Sequence, residues 1–235
     1  MKKIPIPNPL SPNYQLTDFH VHTIYSPDSL TTPEKLLAAC RRKGMDRIII
    51  TDHNTIRGAQ EAQALDPKMV IVGEEIMTTE GEILAAFVQE EIPAGLTPAE
   101  TIVRLNDQGA FISISHPFDI RRKGHWRAEN LLEIVPQIDA IETFNARCTL
   151  PRFNRQAQQF AQQHNLSGTY GSDAHAAFEI GRGALYLPIF NDANSLRGAL
   201  PQAISAPLRL SSPMVYLFSR YAVWAKKRSG SKFPD

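Results

Sequence analysis

The sequence predicts an α/β fold, a parallel sheet with crossover helices closed into a barrel. Three observations predict it. Short apolar, β-branched runs alternate with stretches of helical pattern. About six or seven such units fit within about 190 residues, a spacing that suits a closed barrel better than an open sheet. Five of the seven histidines also fall directly after a strand, beside a turn, where βα barrels carry their chemistry.

The elements follow in order. Phe19–Thr23 reads as the end of a first strand. Thr32-Pro33-Glu34 is an N-cap followed by proline at the first helical position, and it opens a helix to Lys43 that Gly44 closes. Arg47–Thr51 is β-branched and reads as a buried strand. A helix over 57–65 leads to the strand Met69–Val72, and Ile83–Val88 returns as a hairpin after Glu80-Gly81. Thr97-Pro98-Ala99-Glu100 is a capping box whose helix ends near Gly109. Then come strand Phe111–Ser115, helix 129–135, strand Ala140–Phe144, a polar helix over 152–164 and strand Gly168–Gly171.

Composition narrows the function classes. At 235 residues and 43% apolar, the chain is expected to be one large domain, or one plus an appendage, and needs no disulfide staples. Cys40 and Cys148 have no CxxC partner, which excludes a zinc ribbon and predicts buried free thiols. Residues 201–235 carry six cations against Asp235, a net +5, so the overall +1 leaves −4 for residues 1–200. The body therefore lacks the basic surface of a binder of long nucleic acid. Pro5, Pro7 and Pro9 break any apolar leader helix, and no apolar run is long enough to span a bilayer, so a cytoplasmic location is expected. The expected organisation is a lead segment over 1–15, the barrel over 16–205 and an apolar, basic helical tail over 206–235. Within that tail, Pro213–Ala225 reads as a helix packed on the barrel wall or a second subunit, with Val215, Phe218, Ala222 and Ala225 sharing a stripe. The basic end, Lys226-Lys227-Arg228, is expected in solvent; attraction to anionic lipid is the alternative.

His20-Val21-His22 alternates with period two, so both imidazoles face one side of a strand. Asp52-His53 follows the second strand, Glu74-Glu75 the third and His116 a later one, and Asp173-Ala174-His175 repeats the i, i+2 spacing. Histidines and carboxylates without thiolate suit zinc, manganese, iron or magnesium, and a shared carboxylate such as Glu75 can bridge two ions. His125, in a loop, and His164, at a polar helix end, stand outside this set.

These residues resemble the polymerase-and-histidinol-phosphatase (PHP) family of metal-dependent phosphoesterases. The resemblance rests on four ordered segments: Asp18-Phe19-His20-Val21-His22 with Asp28-Ser29 beyond it, Ile50-Thr51-Asp52-His53-Asn54-Thr55, Ser115-His116-Pro117, and Gly171-Ser172-Asp173-Ala174-His175. It covers residues 16–190 and implies a distorted (β/α)7 barrel with two or three divalent ions at its C-terminal rim. By the same resemblance His20, His22, Glu75 and Asp173 hold one ion, Glu75 and His116 a second, and Asp28, His53 and His175 a third, with Glu74 as the fallback for Glu75. The chain departs from the pattern where many relatives carry a histidine on the strand returning after the bridging glutamate, because Leu84 cannot ligate. Water, Glu82 or Asn145 is left to complete the second site.

Phosphoester hydrolysis adds further expectations. Asp18 and Asp52 suit the orientation of ligating imidazoles. His53 or His175 could donate a proton if not firmly metal-bound. Arg121, Arg122, Arg147 and Arg182 could grip phosphate, and Asn145 could touch a metal or the substrate. The expected activity is a metal-dependent phosphoesterase acting on a small phosphorylated molecule or nucleotide. Two alternatives are a nuclease for short oligonucleotides and a non-catalytic metal-binding module. An amidohydrolase-like barrel would ask for a mid-barrel lysine, which Phe111–Ser115 does not offer.

Overall fold

The computed structural model describes residues 11–229; the proline-rich lead from Met1 to Leu10 lies outside them. The expected β-branched runs form the wall of one curled sheet. Its strands are β1 (Tyr14–Val21), β2 (Arg47–Ile50), β3 (Val70–Met77), β4 (Glu82–Ala86), β5 (Phe111–Ile114), β6 (Ala140–Asn145) and β7 (Ser167–Gly171), followed by β8 (Leu185–Pro188) and β9 (Ile204–Ser205). The crossover helices are α1 (Pro33–Arg42), α2 (Arg57–Leu65), α3 (Pro98–Asp107), α4 (Ala128–Ile134) and α5 (Pro151–Gln163); α6 (Ala193–Ala199) and α7 (Val215–Ser229) follow the barrel strands. Thr32 caps α1, and Thr97 with Glu100 forms the capping box of α3.

The strand order is β7-β6-β5-β4-β3-β2-β1-β8-β9. Neighbours among β1 to β7 run parallel except for β4, which is antiparallel to both β3 and β5. This is the hairpin return expected at Ile83, and it turns the first residues of β4 toward the end where β3 and β5 finish. The sheet curls back on itself at that end, where the His22 amide donates to Ala174 at 2.9 Å and Val21 bridges Ala174 in parallel. Strands β8 and β9 and helix α6, not anticipated from the sequence, extend the sheet beyond β1 and close the barrel floor. The β8 strand pairs with Tyr14–Thr17 of β1. Arg197 of α6 reaches Asp139 and the Ala110 carbonyl, just before β6 and β5 begin.

Strand side chains divide between two apolar layers. Phe19, Ile49, Ile71, Ala86 and Phe111 join Leu196 and Leu200 in the inner one. Ile48, Ile50, Ile112, Ile114 and Ile141 pack with Leu36, Ile102, Leu105 and Phe160 of the helices in the outer one. Two strands break the alternation. The pairing register shifts between Asp18 and Val21 of β1 and between Glu142 and Phe144 of β6, each by one extra residue. Such bulges re-aim side chains. Here Phe19 packs inward, and the extra residue lets His20 and His22 follow it to the same side.

The tail departs from expectation. The buried face of α7 is Val215, Ser219, Ala222 and Lys226, whereas Phe218 is exposed. Lys226 does not sit in solvent: its ammonium donates to the carbonyls of Ile24 and Ser26, and burial lowers its pKa to about 8. Arg147 meets the other end of the helix, donating to Val215 O at 3.2 Å and Ser219 Oγ at 3.0 Å. The helix is thus fastened across the loops that follow β1 and β6, not laid on the outer wall. Among the described residues no helix is long and apolar enough to cross a membrane.

Closing the barrel brings β7 hard against β1. A Cβ on Gly171 would lie 2.3 Å from His20 Cβ and 2.5 Å from Glu142 Oε1. Gly171→Ala is therefore expected to cost about 1–3 kcal/mol through overpacking. Thermal denaturation should show a melting temperature lower by several degrees, and an unchanged value would contradict so tight an approach.

Candidate metal centre

The rim gathers five imidazoles and five carboxylates. Glu75, on β3, is fully buried at the middle. Its Oε1 lies 3.3 Å from His20 Nε2 and 3.3 Å from His116 Nε2; its Oε2 lies 3.4 Å from His22 Nε2 and 3.0 Å from His53 Nδ1. Asp173 Oδ1 stands 3.3 Å from His22 Nε2 and 3.7 Å from His20 Nε2. Asp28 lies 2.9 Å from His175 Nε2 and 3.7 Å from His53 Nε2. Glu82, the first residue of β4, lies 3.4 Å from His116 Nε2 and 3.7 Å from His53 Nδ1. Leu84 pairs across the ladder with Glu75 and is buried beside Phe19, Ile49 and Phe111. The reversed strand thus brings a carboxylate, two residues earlier, to the rim position that Leu84 leaves without a ligand.

Polar neighbours fix the rings. His20 Nδ1 lies 3.0 Å from Glu142 Oε1, and His22 Nδ1 lies 3.0 Å from Ser26 Oγ. Ser26 donates in turn to Asp52 at 2.6 Å, so Asp52 acts on His22 through a hydroxyl. Ser115 Oγ donates to Glu75 at 2.6 Å. Asp18 departs from expectation because it touches no imidazole ring. It accepts from the amides of Ser172 and Gly181 at 2.9 Å each and ties the loop after β7 to β1.

The four arginines separate. Arg122 enters the centre, its Nη1 2.6 Å from Asp173 Oδ2. Arg147 is buried, pairs with Glu179 at 3.4 Å and lies under the Tyr216 ring at the foot of α7. Arg182 donates to Leu210 O and lies over Phe178, while Arg121 is exposed. Asn145 spans two carboxylates, donating to Glu142 at 3.0 Å and Asp173 at 3.1 Å. His125 bonds the Arg122 carbonyl, His164 packs on Phe160, and Cys40 and Cys148 are buried free thiols.

Sequence reasoning missed Glu142, Ser26, Ser115 and the latch residues Glu179 and Lys226. Glu142 carried a usable signal, since a carboxylate within the apolar run Ala140–Phe144 needs a partner once buried.

Electrostatics mark the centre as built for cations. Burial works against charge throughout; even so, His20 and His53 hold Glu75 well below the carboxylate range, and Arg122 and His20 do the same for Asp173. Burial together with Glu75 raises Glu82. His53, despite burial, is pushed up to about 10 by Glu75 and Asp28, whereas burial and the neighbouring His175 and His53 drive His22 well down. Among the described residues, five atoms aimed into this space lack a hydrogen-bond partner: Glu75 Oε2, Asp173 Oδ1, Asp28 Oδ1, His116 Nε2 and His175 Nε2. Three groups bring ligand atoms within 4.8 Å of one another: His22-His53-His175, His20-His22-Glu75 and His53-Glu75-Glu82. Ligand atoms about 2.1 Å from one tetrahedral ion stand roughly 3.4 Å apart, the spacing seen here. The residues fit divalent ions.

The family model of the PHP domain matches residues 18–165. The chain belongs to the PHP family. A PHP-associated model matches residues 151–200, so both matches end before α7. Among relatives, the uncharacterized protein MJ1587 of Methanocaldococcus jannaschii is 39% identical over 55% of this chain and 81% of its own length. MJ0417 of the same organism is 36% identical over 70% of this chain and 67% of its own. Among solved structures, a two-domain Bacteroides vulgatus protein containing a predicted PHP-like metal-dependent phosphoesterase superposes with a TM-score of 0.68 at 20% identity, over 92% of this chain and 72% of that one. The lesion-specific endonuclease PfuEndoQ of Pyrococcus furiosus gives 0.56 at 15%, over 82% and 57%. Both likenesses concern the fold.

Within the PHP domain, Glu74 points away from the centre and accepts only the Ile92 amide, at 3.0 Å. Burial pushes its pKa up to about 8. A carboxyl whose pKa is raised on folding favours the folded state in its neutral form. Its contribution is complete below the unfolded value and is lost as pH rises toward 8. Glu74→Gln should therefore match the wild type at about pH 4 and be increasingly more stable by pH 9. A melting-temperature difference that does not grow with pH would contradict this.

Proposed function

We propose that the protein is a phosphoesterase acting on a small phosphorylated molecule or nucleotide, with divalent ions held at the rim of the PHP domain. The observation that carries the reading is the sharing of Glu75 among four imidazoles, with Arg122 at the edge of the same cluster. Membership of a family that includes metal-dependent phosphoesterases supports it.

Three ligand sets follow. His20, His22, Glu75 and Asp173 form one, and Asp28, His53 and His175 form another, with His22 close by. Glu75 and His116 form the remaining one, with Glu82 in place of the absent imidazole. Oxygen and nitrogen donors without sulfur suit manganese, zinc or iron, with magnesium also possible. When bound, such ions supply an activated water and neutralise charge on the phosphoryl oxygens.

The protein's own groups do the rest. Arg122 anchors one nitrogen on Asp173 and offers the remaining guanidinium edge to a phosphate oxygen. Arg147 and Arg182 are engaged elsewhere, by Glu179 and Ser219 and by the Leu210 carbonyl. Asn145 and Ser115 hold Asp173, Glu142 and Glu75 in place. His175, its Nδ1 2.9 Å from the Asp173 carbonyl, and His53 border Asp28, where either can hand a proton to the departing oxygen if its ring is free of metal. The buried thiols accord with a cytoplasmic setting.

Elemental analysis of the purified protein should find at least two divalent ions per chain, and His22→Ala or Asp173→Ala should abolish hydrolysis of an activated phosphoester. Full activity after chelation would refute the reading. Glu82→Leu should remove close to one ion per chain while leaving the others; unchanged stoichiometry would exclude Glu82 as a ligand. Arg122→Gln should lower kcat/KM by about 100-fold, as expected for a lost charge-stabilising donor, without lowering the metal content.

A further inference from the structure

Helix α7 lies beyond both family matches yet borders the metal centre. Between it and Asp28 runs a groove of about 430 Å³, lined by Asp28, Ser219, Arg220, Val223, Trp224 and Lys227. Arg220, Val223, Trp224 and Lys227 recur at i, i+3, i+4 and i+7, so one stripe of the helix forms a wall of the groove. One boundary is a candidate ligand of the centre. The other is an apolar surface carrying the Trp224 ring and two cations.

We propose that this groove takes the leaving group of the substrate, and that α7 selects a planar aromatic leaving group carrying a second negative charge. The inference rests on the phosphoesterase reading and deepens it. Trp224 is 51% exposed beside the Tyr221 ring, 5.7 Å away, so the pair offers an aromatic surface for a planar group. Arg228 already lies over that ring, 4.9 Å from its centroid, which keeps the indole in a cationic setting. Among the described residues neither Arg220 nor Lys227 pairs with a carboxylate. Charge complementarity therefore favours an anion. The wall is also held at a fixed distance from the centre. Lys226, next to Lys227, is bonded to the Ile24 and Ser26 carbonyls of the loop that presents Asp28. Ser219, next to Arg220, is bonded to Arg147 beyond β6. The stripe between these anchors is placed, not free to drift.

The test uses the full-length, metal-loaded protein and three esters: glycerol 2-phosphate, phenyl phosphate and 4-carboxyphenyl phosphate. In the wild type, kcat/KM should rise in that order. Trp224→Ala should lower the ratio of phenyl to glycerol phosphate about tenfold, the scale of a lost aromatic contact. Replacing Arg220 and Lys227 together with glutamine should remove the advantage of the carboxyl group. Ratios unmoved by these changes would overturn the proposal. A second readout is independent of turnover: 4-carboxyphenylphosphonate should quench tryptophan emission in the wild type but not in Trp224→Phe. If no ester is hydrolysed at all, the phosphoesterase reading falls, and the quenching still decides the groove. Absence of quenching would show that it binds no such group.

Discussion

The structure depends on the burial of like charges in one small space. Glu75, Asp173, Glu142 and Glu82 are buried within reach of one another's imidazole partners, and Arg122 supplies the nearest fixed positive charge. Burying ionised carboxylates without compensation costs several kcal/mol each. Protonated imidazoles offset part of that cost, yet burial and the neighbouring His175 and His53 push the His22 imidazole well below its usual range. Divalent ions would resolve the conflict, because one ion satisfies several lone pairs at once. The orphaned oxygens and nitrogens mark where that compensation is needed.

Much of the remaining architecture keeps the crowd in place. The ends of β1, β2, β3 and β7 bring ligand-type residues from distant parts of the chain, and the reversal of β4 brings another from a strand start. Around them, side-chain bonds tie loop to loop: Asp52 to Thr23 and Ser26, Asp18 to the loop after β7, and Asp119 to Thr149. The last helix adds two latches, at Lys226 and at Arg147.

The sequence displayed the histidine-lined rim better than it displayed the frame. His20, His22, His53, His116 and His175 were legible because each follows a strand signal, and position at a strand end is a property of local pattern. Glu142 shares the inward phase of Ala140, but its partner His20 lies 122 residues away in the chain, so its role was not visible locally. The β8 and β9 strands and α6 were hidden because their segments are short and their partners are far away along the chain, at β1 and below β5 and β6. The tail misled in a different way. A stripe of apolar residues on α7 suggested the buried face, but the helix buries Ser219 and Lys226 to reach backbone carbonyls and an arginine, and it leaves Phe218 and Trp224 outside. Arg147 misled for the same reason, since its partner Glu179 lies 32 residues further on and nothing local announces it.

The two bulges have a consequence for how such a molecule can change. Below them, β1 and β6 keep strict alternation, and the inner and outer layers pack by its rule. Above them, the chain runs in a different phase. Each extra residue therefore acts as a joint between a stem, whose side chains answer to packing, and a head, whose side chains answer to chemistry. Loss of the single extra residue in β1 would turn His20 and His22 away from the centre and leave the buried Glu75 and Asp173 short of two partners. The joint in β1 thus decides which residues reach the candidate metal centre, while the strand beneath it is set by packing.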